Sequence, residues 1–162
     1  MKPFLAISFF LLLLTASASA VERFPKLDDT DWGWWRGPNH NGIAPASAQP
    51  PLTWNDNTNV RWQTEIPGRG HSSPTVVGDS VFLTTADEVK QTQHVLCFNR
   101  LTGDVLWNKE IYQGNFDHNN KKNSFASSSV SCDGQQIYTS FFRDKKVLTV
   151  ALTLKGELVW EH

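Results

Sequence analysis

The chain has 162 residues, a net charge of -1 from 15 basic and 16 acidic side chains, and only two cysteines. Its basic pairs, Lys121-Lys122 and Lys145-Lys146, are isolated, which excludes the concentrated positive field that nucleic-acid phosphates attract. Two cysteines exclude a disulfide scaffold; Cys97 and Cys132 either bridge in an exported protein or stay as unpaired thiols.

Residues 1–20 have the layout of a secretory signal peptide. Lys2 gives a positive start, "FLAISFFLLLL" runs apolar from Phe4 to Leu14, and Ala18 and Ala20 precede a cut before Val21. That run of eleven falls well short of the ~20 residues needed to cross a bilayer. No cysteine follows it to carry a lipid. The expectation is export to the periplasm or beyond, with no membrane span once the signal is removed.

Residues 21–58 form a leader containing "WWRGP" (Trp34–Pro38), and 59–162 carry a repeat. Trp62 in "NVRWQTEI", Trp107 in "GDVLWNKEI" and Trp160 in "GELVWEH" are 45 and 53 residues apart. Ahead of the last two lie "SSPTVVGDSVFLTTA" and "ASSSVSCDGQQIYTSFF", which match in order: small hydroxyl residues, a tight turn, then a β-rich run. Gly78-Asp79 and Asp133-Gly134 signal hairpins, because such turns need the positive φ that Gly and Asp tolerate best. Val81, Leu83 and Thr85 alternate with Phe82, Thr84 and Ala86, as a pleated strand requires.

The pattern predicts strands over 72–77, 80–86, 93–99 and 104–111, then 125–131, 135–142, 146–152 and 157–161. No segment after the signal peptide has convincing helical spacing. Four short antiparallel strands repeating every 40–55 residues predict an all-β protein of propeller blades, each sheet burying its faces on its neighbours. Each tryptophan then packs at a contact between blades, a structural role.

"CFNRLTGDVLW" (Cys97–Trp107) resembles the tryptophan-docking repeat of quinoprotein-type (PQQ-like) propellers, A-x-D-x-x-T-G-x-x-x-W. Cys97 stands for Ala and Asn99 for Asp, while Thr102, Gly103 and Trp107 match. "ALTLKGELVW" is one residue shorter, keeping Ala151, Gly156 and Trp160, with Thr153 in place of Asp. "DWGWWRGPNHNG" with "IPGRGHSSPTVVGDSVFLTTA" looks like the opening of exported planctomycete-type PQQ-like propeller proteins. The resemblance implies a ring that usually closes with eight blades, of which this chain supplies about two. The expectation is a truncated reading frame, a piece of an interrupted gene, or a subunit that self-associates to complete itself.

Arg69 and His71 lie in the loop leading to the first blade, and His118, Lys122, Asn123 and Ser124 in the corresponding loop of the second. Corresponding loops converge at a propeller's central mouth, so these side chains either bind a peptide or small anion or tie down strand ends. No catalytic residue or metal set is identified. The serines at 127–129 lack the G-x-S-x-G elbow, and the histidines lack metal-ligand spacing. Quinoprotein dehydrogenases add a vicinal cysteine pair and calcium ligands; Cys97 and Cys132 are not adjacent, so no cofactor is expected and pyrroloquinoline quinone belongs at most to a complete relative. The favoured function is a non-catalytic exported scaffold binding protein or peptide, as in the propeller lipoprotein of the outer-membrane β-barrel assembly machine, a likeness of fold alone. The alternative is the N-terminal piece of a quinone-dependent oxidoreductase.

Overall fold

The computed structural model describes residues 27–116 and 120–162. The signal peptide assigned to 1–20 and the loop residue His118 lie outside the described residues.

Eight strands follow one another: β1 (Thr75–Val77), β2 (Ser80–Asp87), β3 (Thr92–Asn99), β4 (Val105–Gln113), β5 (Ser131–Cys132), β6 (Gln136–Arg143), β7 (Lys146–Thr153) and β8 (Leu158–Glu161). They form two four-stranded antiparallel sheets, β1-β2-β3-β4 and β5-β6-β7-β8, each in chain order. There is no helix among the described residues. These are two blades of a propeller, as the tryptophan period implies.

Register explains the packing. Phe82 pairs with Cys97, which pairs with Trp107, so these side chains share one face of the first sheet. Ile137 pairs with Leu152 and Phe141 with Leu148 in the second. Phe82, Val95 and Cys97 meet Ile137, Phe141 and Leu152 in one buried cluster between the sheets. Each large apolar side chain buried there contributes roughly 1.5–3 kcal/mol by transfer from water. The first sheet's other face carries a smaller cluster of Val81, Leu96 and Phe98.

Six of the eight expected strands appear within two residues of their expected ends, and the two inner strands differ. β1 is confined to 75–77 and β5 to 131–132, against expected spans of 72–77 and 125–131. Around Ser72 and across 126–130 the backbone bonds sideways, into the neighbouring sheet or onto hydroxyls, instead of into a ladder. The His71 N–H donates to Ala126 O at 2.9 Å and the Ser73 N–H to Ser129 Oγ at 2.8 Å. The Thr84 hydroxyl donates to Ser128 O at 2.9 Å, and the Thr75 hydroxyl to Val130 O. Serine and threonine hydroxyls thus satisfy backbone groups that a longer strand would pair.

The leader straps both inner strands. Trp32 exchanges two backbone hydrogen bonds with Val76, at 2.7 and 3.0 Å, and Gly33 O accepts the Cys132 N–H at 2.7 Å. Buried Asp31 accepts the N–H groups of Gly78 and Asp28, both at 2.8 Å. Leader and loops therefore sit at opposite ends of β1: Asp31 bonds just past Val77, and His71 bonds just before Thr75.

Candidate functional site

Two of the three repeat tryptophans, Trp62 and Trp107, are joints between units. The Trp62 indole N–H donates to Arg100 O at 2.9 Å, and its ring covers Gly103, where an added Cβ would stand 2.6 Å from the ring. The Trp107 N–H likewise donates to Leu154 O at 3.1 Å over Gly156, where a Cβ would stand 2.9 Å away. Gly103 and Gly156 have φ of 79° and 83°, so only glycine combines this turn with this approach. Each tryptophan docks on the turn of the following sheet. Asn99 fills the aspartate's place, its Oδ1 accepting the N–H groups of Leu101 and Thr102 at 2.8 and 3.1 Å. Thr153 Oγ1 does the same for Lys155 and Glu157 at 3.3 and 3.2 Å. Trp160 makes a tilted ring contact with Tyr138 and is 43% exposed.

The two loops touch at one hydrogen bond. Arg69 Nη2 donates to Lys121 O at 3.0 Å, and an exposed ion pair joins Arg69 to Glu88 at 3.8 Å. His71 and Lys122 are exposed, and the Lys122 N–H donates to Asn120 Oδ1 at 2.9 Å. Asn123 Oδ1 accepts the Ser124 N–H at 2.9 Å and the Ser127 hydroxyl, and Ser124 is buried. Asn123 and Ser124 therefore spend their polar groups on the loop itself, while Arg69, His71 and Lys122 face solvent.

A second candidate surface is the face of the second sheet turned away from the first. Tyr138, Ala151 and Trp160 lie in register, as do Ser140 with Thr149 and Phe142 with Val147. The Ser140 and Thr149 hydroxyls bond at 2.9 Å in the middle of this face. Phe142 is 53% and Val147 64% exposed, so its ends are apolar and open. Beside Tyr138 a cavity of about 710 Å³ opens between this face and the leader, with Trp34, Pro38, Pro45 and Asp133 among its walls.

Asp133 organises the sheet side of the cavity. Partial burial raises its pKa, but the Gln136 N–H, the Tyr138 hydroxyl and the Gln135 N–H outweigh burial and hold it below the usual carboxylate value. The Tyr138 hydroxyl donates to Asp133 Oδ2 at 2.7 Å, and this bond, followed by burial and the carboxylate charge, pushes Tyr138 up to about 12. Cys132 beneath them is pushed up to about 11, mainly by burial. On the leader side, Trp34 stacks on His40 at 5.1 Å with 5° between the planes. The sequence places Trp34 in a motif and Asp133 in a turn, but no local pattern sets them around one cavity; they lie about a hundred residues apart in the chain.

Cys97 on β3 and Cys132 on β5 are free, buried and on different sheets. They make no vicinal pair, so these residues do not fit the quinone site that the dehydrogenases build. Among the described residues no three His, Cys, Asp or Glu side chains gather as a metal set, and no helix is long and apolar enough to cross a membrane.

No curated protein matches the sequence. The family profile described as outer membrane protein assembly factor BamB, a PQQ-like repeat family, matches residues 35–162. That span takes in both sheets, both docked tryptophans and most of the leader, and the chain belongs to this BamB-type family of PQQ-like propeller repeats.

Proposed function

We propose that this chain is an exported, non-catalytic propeller-repeat protein that works as a scaffold for binding other proteins. The observation that carries the reading is the outward face of the second sheet, apolar and half exposed at Phe142, Val147 and Trp160 around the Ser140–Thr149 hydroxyl pair. Apolar ends with a satisfied polar centre suit a protein partner, whose side chains cover the ends without stranding a buried donor. The family's description as an assembly factor agrees with such a role. The scaffold uses no cofactor of its own, in keeping with the separation of Cys97 and Cys132. The loop surface of Arg69, His71 and Lys122 offers a second, polar contact area.

Two measurements test the proposal. N-terminal sequencing of protein recovered outside the cytoplasm should begin at Val21; an intact Met1 in a membrane fraction refutes export. For the scaffold, Val147 is replaced by the photoreactive p-benzoylphenylalanine. Irradiation of intact cells should yield a discrete protein adduct, and the same probe at exposed Lys155 should not. Adducts to lipid alone, or none at all, refute the scaffold reading.

A further inference from the structure

We propose that the outward face of the second sheet takes the first sheet of a second copy, Trp160 of one copy replacing Trp62 on the Gly103 turn of the next. This names one partner for that face and rests on the scaffold reading.

The face repeats a joint already made once inside the molecule. In the first sheet Phe82, Cys97 and Trp107 stand in register, and that face packs on the second sheet. In the second sheet Tyr138, Ala151 and Trp160 stand in the same order. The Phe82 and Trp107 rings lie 6.0 Å apart at 43°, and the Tyr138 and Trp160 rings 6.1 Å apart at 38°. A register shift follows Cys97 in one sheet and Ala151 in the other. The difference lies in what the ring meets. Trp107 sits on a glycine turn and bonds a carbonyl, whereas the Trp160 indole N–H has no acceptor among the described residues. Trp160 is a ring without a seat.

The first sheet offers such a seat at Gly103, with φ of 79° and the Arg100 carbonyl beside it. Trp62 fills it from a segment that belongs to no sheet. Residues 59–66 make no backbone–backbone hydrogen bond among the described residues. Their hold on the first sheet is the Trp62 bond to Arg100 O and a Thr64 hydroxyl bond to Gly103 O at 2.7 Å. A Cβ added at Gly103 would stand 2.6 Å from the Trp62 ring, so the seat takes one ring at a time. Trp62 is thus an internal competitor, and affinity for a second copy falls with the fraction of seats left open. Trp160 comes on a four-stranded sheet whose exposed Phe142 and Val147 are covered in the same step, which favours the exchange. Ring and seat lie on different sheets, so the contact is head-to-tail.

The test is light scattering over a concentration series on the full chain and its variants. Undirected apolar association weakens when either ring is lost, whereas ring exchange predicts opposite signs. Trp160→Ala should weaken self-association about tenfold or more, by loss of the central aromatic. Trp62→Ala should strengthen it about tenfold, by emptying the seat. Thr64→Ala keeps both rings and loosens the segment by one hydrogen bond, so it should strengthen association about twofold to tenfold. A chain with both Trp62→Ala and Trp160→Ala has an open seat and no ring. Alone it should stay a single copy, and with the unmodified chain it should pair one to one. Backbone amide spectra report whether each variant keeps the fold.

A single copy at every concentration overturns the proposal. So does association that Trp160→Ala leaves unchanged, or that neither Trp62→Ala nor Thr64→Ala strengthens. A double variant that does not bind the unmodified chain overturns it as well. A Val147 adduct to a different protein, without self-association, removes the second copy and leaves the scaffold standing, so the two failures are separable.

Discussion

At the scale of single residues, the docked tryptophans and the glycines beneath them carry the sharpest expectations. Trp107→Ala removes a ring packed on the Gly156 turn and the hydrogen bond to Leu154, and should cost about 3–5 kcal/mol in chemical denaturation. Trp160→Ala, at a half-exposed ring, should cost well under half as much, and equal losses would show that the joint is not special. Gly156→Ala forces a Cβ to 2.9 Å from the Trp107 ring at positive φ and should cost about 1–3 kcal/mol. The thiols make a chemical prediction. Burial raises both, Cys132 to about 11, so near pH 8 about one Cys132 in a thousand is thiolate. Neither should react with a disulfide reagent until denaturant is added, and rapid native labelling would contradict the burial. Tyr138 sets an alkaline limit: its proton is held more tightly folded than unfolded, so its stabilisation is complete below pH 10 and lost as pH rises from 10 towards about 12. Tyr138→Phe should flatten thermal stability across that window, and an unchanged alkaline profile would remove the bond to Asp133 from the account.

At the scale of elements, what was legible in the sequence depended on whether a rule is local. β2, β3, β6 and β7 could be read from pleat alternation and short apolar runs, and their turns from residue type. β5 could not, because "FASSSVS" fits a strand ladder and a hydroxyl-bonded connection equally well; which one forms depends on Thr75 and Thr84 in the other sheet. That the Arg69 and Lys121 loops hold corresponding places in the repeat followed from the sequence. The cavity did not, since Trp34 lies outside the repeat and reaches its opposite wall only through the leader's bonds to Val76 and Cys132. One hairpin departs from local preference. Asp144 and Lys145 form the two-residue β6–β7 loop with φ of 45° and 61°, and lysine is a poor residue for that conformation. Lys145→Gly should therefore raise stability by about 0.5–1 kcal/mol. A lowered melting temperature would show that the lysine's own contacts outweigh the backbone strain.

At the scale of the molecule, burial among the described residues is lopsided: the faces between the sheets are buried, while the outward face of the second sheet and the β8 edge are exposed. Leu158, Val159 and Trp160 are each 43% exposed or more along a strand whose outer edge pairs with no other strand among the described residues. Such an edge beside an apolar face favours association. Light scattering on the size-excluded chain should give a mass above that of one copy, and Val147→Lys should lower it; a monomer unaffected by that charge would place the interaction elsewhere. The offset of the tryptophan joints bears on how such a protein lengthens. Because a ring belongs to one repeat and its seat to the next, the unit of heredity and the unit of cohesion are out of phase. A tandem duplication of one repeat length carries one seat and one ring, close together in the chain as Gly103 and Trp107 are, so in head-to-tail copies each ring finds its seat in the next copy. Growth by whole repeats therefore adds one joint per sheet and needs no fresh interface to be selected.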